Sequence, residues 1–207
     1  MTPKTSRQMY KYLDKVLTVT VKKIYTVFRK YRGLKFDELN VLSNTSRLYE
    51  ELVQINLEAF RDIAKYYFEM EPYGDGMWMY LWLEEQLRTP SPTIKYSYNS
   101  EVTRKRDRLA EALTATSGSK PEFDKAMRYW SQMTGWFGIE VADEALRRAR
   151  KIDGVTHVVW VSQQDDRVCD TCHDYNGMVF PIDEVPPKPH PGCRCYLVRY
   201  NNGRNQT

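Results

Sequence analysis

The sequence predicts an α+β fold: a mainly α-helical body followed by a small C-terminal module that contains β-structure. Three observations predict it. Apolar residues recur at three- and four-residue steps through much of the first 150 positions, the β-branched and aromatic run THVVWVS at 156–162 breaks that period, and all four cysteines fall within residues 169–195. A chain of 207 residues with 42% hydrophobic and 13% aromatic residues has enough apolar surface for a core, which argues against disorder throughout.

From the N-terminus, Met9, Leu13, Val16, Leu17, Ile24, Val27, Phe28 and Tyr31 form one stripe of an amphipathic helix, with Gly33 as its stop. The polar cluster Ser43-Asn44-Thr45-Ser46 reads as a break before a second helix, whose stripe runs through Leu48, Leu52, Ile55, Ala59, Ile63, Tyr66 and Met70 to Pro72. An aromatic-rich helical segment, Met77–Leu87, is closed by the prolines of TPSPT at 89–93. Asn99 or Ser100 can cap the next helix, with Val102, Leu109 and Leu113 on one face. After the loop TATSGSKP, a helix from about Glu122 to Lys151 turns Phe123, Met127, Trp130, Phe137, Val141 and Ala145 inward and stops at Gly154. Three strands follow, at 156–162, 178–182 and 195–200. This divides the chain into an N-terminal helical region with a basic first helix (1–93), a central helical region (94–154) and a C-terminal module (155–207).

The longest uninterrupted apolar stretch, Met77–Leu83, is far shorter than the ~20 residues of a membrane helix, so no membrane span is expected. The opening MTPKTSRQMYKYLDKVL has neither an apolar core nor a small-residue cleavage site, so secretion is not indicated. A reducing cytosol follows as the expected compartment of synthesis, and there structural disulfides are disfavoured.

Charge is unevenly distributed. Residues 1–36 carry ten Lys/Arg against the single acid Asp14, whereas the whole chain has a net charge of only +4. A basic arm on an acidic body suits nucleic acid or an acidic protein surface, and Lys11, Lys15, Lys22, Lys23, Arg29 and Lys30 are the candidate contacts. A solvated lysine face would look the same in sequence.

The cysteines and one histidine form C-x2-C-x17-H-x2-C-x-C: Cys169, Cys172, His190, Cys193 and Cys195. Two thiolates separated by two residues can hold one ion from a single tight turn, and a second pair brought back by a loop completes a tetrahedron. Asn176-Gly177 supplies a turn and VPPKPHPG a stiff return. A short module cannot bury much core, so a structural Zn2+, worth roughly 10–16 kcal/mol in small peptides, is the expected stabiliser. The fold class is therefore a helical body with a zinc-stapled module. Five candidate donors compete for four positions, and the spacing does not choose among His190, Cys193 and Cys195. His173 reads as an exposed turn residue, and His157 as packing within a strand. Asp165 or Asp166 can accept hydrogen bonds from Arg167 or Arg194 and brace the metal loop. Trp160 reads as core over the metal.

The motifs W-x4-D-x-R-V-C-x2-C, from Trp160 to Cys172, and H-P-x-C-R-C, from His190 to Cys195, resemble the C-terminal signature of the phage Mu F-like minor head proteins, also called phage head morphogenesis proteins. The resemblance is specific over about residues 154–198 and looser upstream. It implies a minor capsid protein of a tailed bacteriophage that associates with the portal vertex and takes part in head assembly and DNA packaging or delivery. The implied location is the virion head, with the host cytoplasm during assembly. The implied partners are the portal protein and other head proteins, with double-stranded DNA as a further candidate and no membrane.

The alternative function class is a zinc-dependent enzyme acting on DNA, with a nuclease-like treble-clef module. A catalytic zinc keeps a position open for water, whereas this cluster offers more protein donors than one ion needs. Only twelve residues follow Cys195, with no histidine among them, and no Ser-His-Asp set, P-loop or paired-carboxylate motif is discernible. The sequence thus reads as a non-enzyme with no catalytic residues.

Overall fold

The computed structural model describes residues 6–32, 38–68, 109, 112–113, 120–163, 165–190 and 192–200. Among the described residues, three long helices make up the body: α1 (Ser6–Tyr31), α2 (Glu38–Phe68) and α3 (Lys120–Ile152). Each packs on the other two. The sheet-bearing module follows as β1 (His157–Val161), α4 (Asp170–Tyr175), β2 (Val179–Pro181) and β3 (Tyr196–Arg199). Gly33, Met70, the Met77–Leu87 segment, Pro90, Pro92, Asn99, Ser100, Val102 and the 201–207 tail lie outside the described residues. No helix among the described residues is long and apolar enough to cross a membrane.

The apolar stripes explain the body. Ile24 and Phe28 of α1, Leu48, Leu52, Phe60 and Ile63 of α2, and Trp130 and Met133 of α3 are fully buried together. Leu109 and Leu113 join the same core. Aromatic edges lock the crossings: Phe28 meets Phe123 edge-on at 5.4 Å, and Tyr49 meets Trp130 at 6.2 Å. Met127 is only half-buried at the rim of its stripe.

The second helix corrects one expectation. The cluster Ser43-Asn44-Thr45-Ser46 does not precede α2 but lies inside it. Ser43 Oγ and Asn44 Nδ2 donate back to the Asn40 carbonyl at 3.0 and 2.9 Å, so these side chains bond within the helix instead of ending it. Val41 and Leu48 extend the buried stripe on either side of Thr45, which is itself buried.

A buried polar contact crosses between helices of the body. The Thr134 hydroxyl on α3 lies 2.7 Å from Asn56 Oδ1 on α2 and 2.9 Å from the Trp130 carbonyl. This polar contact in an apolar core helps fix one register between the two helices, although Asn56 Nδ2 is buried without a partner among the described residues.

Helix α3 ends as its sequence dictates, with Gly154 at φ +77°, a left-handed conformation that costs glycine little. The chain then enters a three-stranded antiparallel sheet of order β2-β1-β3. Central β1 aligns Val158 with Phe180 and Arg199, and Trp160 with Leu197. Burial alternates along β1, so Val158 and Trp160 face inward while His157 is exposed. His157 therefore is not core packing. Its ring meets Tyr200 edge-on at 6.5 Å on the outer side.

Two glycines of α3 make a matched test of this packing. A Cβ at Gly138 would lie 2.5 Å from Leu17 Cδ2 of α1, whereas one at Gly135 would meet nothing within 4 Å. Gly138→Val should destabilise the chain by about 1–3 kcal/mol through overpacking. Gly135→Ala should stabilise it by up to ~1 kcal/mol through helix propensity. Urea denaturation of the two variants checks both signs.

Candidate metal centre

Strand β1 delivers the chain to the first cysteine pair through a tight turn. Arg167 N donates to Asp165 Oδ1 at 3.1 Å, and Cys169 sits in extended conformation at the N-cap of α4. The sequence reading gave only a turn here. The structure instead has a short helix, which carries the Cys172 side chain inward and leaves His173 exposed. The turn after α4 then returns to β1: Gly177, at φ +81°, donates its N–H to the Trp160 carbonyl at 2.8 Å. Asn176 Oδ1 accepts from Ser162 N at 3.0 Å, so Asn176-Gly177 does supply the turn its sequence indicates.

The proline-rich return brings the second pair opposite the first. Cys193 N donates to the His190 carbonyl, and Cys172 Sγ lies 3.4 Å from Cys193 Sγ. All four cysteines are free thiols. Potential ligand atoms cluster in two sets, Cys169, Cys172 and His190, and Cys172, Cys193 and Cys195, each within 4.8 Å mutually. Cys172 is common to both. All five predicted donors are thus brought together, whereas His157 and His173 stay apart.

Zinc bonded to sulfur at about 2.3 Å with tetrahedral angles needs sulfurs roughly 3.8 Å apart. The observed spread is close to that need, and a donor set of soft thiols with one imidazole suits zinc over a hard cation. Burial, reinforced by hydrogen bonding with Cys195, Cys193 and Cys169 that favours the protonated thiol, pushes Cys172 far up. Burial also raises Cys193, opposed chiefly by the Lys188 charge.

A ring of braces surrounds the thiols. Arg194 Nη2 lies 2.8 Å from Asp165 Oδ1 and 2.7 Å from Oδ2, a charge-assisted contact joining the two cysteine-bearing arms. Of the two candidate carboxylates, Asp165 is the one engaged, and the Arg194 hydrogen bond holds it below the usual carboxylate range. Trp160, 2% exposed, packs with Cys172, Cys193 and Cys195 as the core over the site. Its ring meets Tyr175 edge-on at 5.3 Å.

Sequence reasoning missed what anchors this module to α3. Arg147 Nη1 donates to the Ile182 carbonyl at 3.0 Å, and Arg150 Nη1 to the Leu197 carbonyl at 2.9 Å. Lys151 pairs with Asp183 and Arg199 with Asp153, each at 2.6 Å. Lys188, between prolines on the return run, pairs with Asp143 at 2.6 Å and donates to the Cys195 carbonyl. A Cβ on Gly192, at φ +77°, would fall 2.6 Å from Trp136 Nε1, so the H-P-G-C turn rests directly on α3. The available signal was Asp143, Arg147, Arg150 and Lys151 recurring at helical spacing on one face, outside the apolar stripe. A cavity of about 250 Å³ remains at this junction, lined by Glu140, Asp143, Arg147, Trp160, Lys188 and Leu197 among others.

The site is therefore a cysteine-rich knuckle whose donors could hold a metal ion, docked on a long helix. Residues 138–198, covering the second half of α3 and nearly all of the described module, match the family model described as Phage Mu protein F like protein. Over this stretch the chain resembles that family, as the two sequence motifs imply. No curated protein and no solved structure matches the chain.

The helix–module junction predicts a pH dependence. Burial raises the Glu140 carboxyl from 4.5 to about 7, against the pull of Lys188 and with a further push from Asp143. A carboxyl whose folded pKa lies above its unfolded value binds more protons when folded. Its contribution to stability is therefore fully present below pH 4.5 and is lost as pH rises through about 7. Glu140→Gln should stabilise the chain at pH 8 by about 1–3 kcal/mol and flatten the dependence across that window. Thermal melts of both proteins from pH 4 to pH 8 check this.

Proposed function

We propose that this chain is a non-enzymatic minor capsid protein of a tailed bacteriophage, acting in head morphogenesis at the portal vertex and supporting DNA packaging or delivery. The observation that carries the reading is the overlap of the family match with the cysteine knuckle and its docking helix. The helical body serves as the docking part for the portal protein and its neighbours in the head. Residues 155–207 form a module stapled by one Zn2+, with Cys169, Cys172, His190, Cys193 and Cys195 supplying its four ligands, and present a rigid contact surface. Residues 1–93 and 94–154 are the two helical regions of the body. Zinc here supplies cross-linking, not reactivity: five donors for four positions leave no site for an activated water. The nuclease reading is disfavoured for the same reason.

One zinc per chain is expected in protein purified without chelator. Cys172→Ser should lose it and unfold residues 160–200 while the long helices keep most of their ellipticity. Elemental analysis with far-UV circular dichroism checks both, and a wild-type chain without bound metal would end the zinc reading. The head-protein reading is tested by co-purification with the portal protein of the same phage and by the protein's presence in purified virions.

The basic first helix supports a second contact, to double-stranded DNA. Its six candidate residues are all exposed, and they sort into two rows. Lys11, Lys15, Lys22 and Arg29 fall within about 40° of one another round α1 and run for roughly 27 Å along it. Lys23 and Lys30 lie about a quarter-turn or more away and face α2, where Lys30 pairs with Glu51 at 3.0 Å and Lys23 sits 3.9 Å from Glu58. Only the first row is thus left to a phosphate backbone. Glutamine at all four of its positions should reduce the slope of log affinity against log salt by about 3.6, since each neutralised phosphate adds about 0.9. The pair Lys23→Gln and Lys30→Gln should leave the slope unchanged. Salt-titrated binding to a labelled duplex checks this. If the four-site variant alters portal association and not DNA binding, the row serves the portal.

A further inference from the structure

The junction between α3 and the knuckle holds one charge that belongs to both. Lys188 sits in the run Pro186-Pro187-Lys188-Pro189, two residues before His190, with its side chain 15% exposed. Its ammonium reaches three things at once. It pairs with Asp143 Oδ2 on α3 at 2.6 Å, donates to the Cys195 carbonyl, and lies 5.8 Å from the centre of the Trp160 ring. It is also electrostatically coupled to Cys193 and Cys195, and Glu140, one turn before Asp143, feels it as well. Lys188 thus pairs with α3 while donating to the backbone of a candidate ligand.

We propose that Lys188 couples the metal centre to α3, so that metal retention by the knuckle and docking of the module on the helix are one linked equilibrium. The inference rests on the zinc reading above and goes beyond it by naming the residue that ties the centre to the helical body. Three thiolates with an imidazole, or four thiolates, leave a divalent ion with a net negative charge in a buried site. Such a site gains from a fixed cation, because Coulomb energies grow as water is excluded. Lys188 is that cation, and Asp143 is the positioning residue that holds it between helix and thiolates. The two prolines before it and the one after restrict where its backbone can go. Linkage makes the effect reciprocal: whatever the cation adds to metal affinity, the metal adds to docking on α3.

The test uses the full chain, loaded with zinc and titrated against a chromogenic chelator. Lys188→Met and Asp143→Asn should each weaken zinc retention by about 10-fold or more, the range typical of groups that support metal ligands. Lys188→Arg, which keeps the charge, should recover most of the loss. Lys151→Met breaks an ion pair of the same interface whose two side chains are both more than half exposed, so it contributes little to docking and should cost far less zinc retention than Lys188→Met. Cobalt-loaded Lys188→Met should show a shifted sulfur-to-metal charge-transfer band, which loss of packing alone would not produce. In the reverse direction, chelation should speed amide exchange across residues 140–151 of α3. Wild-type retention in both Lys188→Met and Asp143→Asn overturns the proposal, as does equal loss in Lys188→Met and Lys188→Arg. If Lys188→Met does not fold, Asp143→Asn and the exchange measurement decide. A wild-type chain that binds no zinc removes both this inference and the zinc reading, whereas a zinc-loaded chain with unaffected variants removes this inference alone.

Discussion

A module of about 50 residues cannot bury enough apolar surface to fold on burial alone, and the C-terminal part of this chain is arranged around that constraint. Among the described residues its sheet has three strands of five, three and four residues, and its helix α4 has six. What packs at its centre is Trp160 with three cysteines, a cluster with few aliphatic members. Two supports compensate. One is internal, the convergence of five soft donors around Cys172, and the other is external, the face of α3 on which the module rests.

Helix α3 is thus the shared element of the molecule. Phe123, Trp130, Met133 and Phe137 bind it into the three-helix core, while Asp143, Arg147, Arg150 and Lys151 reach the module. The two parts are held by different physics. The body relies on non-directional burial, and the module on directional bonds to backbone carbonyls of Ile182, Cys195 and Leu197 that fix its orientation. The family match spans this junction, beginning inside α3 and ending in β3, so the helix half and the module form one matched unit.

Much of this was legible in the residues because the relevant signals were local. Helical period placed α1 and α3, β-branched runs placed all three strands to within about two residues, and cysteine spacing named every donor that the structure gathers. Local signals also misled. Ser43-Asn44-Thr45-Ser46 has the composition of a break, yet its side chains bond back to Asn40 and the helix continues because Val41 and Leu48 are held in the core. His157 lies in a strand pattern, but strand periodicity does not say which face is covered. Lys188 and Asp143, 45 positions apart, could not be paired from sequence, since only the fold of the return run brings them together.

The central claim is that the knuckle is a closed, sulfur-rich structural metal centre. X-ray absorption at the zinc edge on the purified full chain tests it most directly. The account predicts a single four-coordinate zinc environment dominated by sulfur at about 2.3 Å, with at most one nitrogen and no bound water. A first shell made mainly of oxygen and nitrogen, or a position occupied by exchangeable water, would contradict it and reopen the catalytic reading.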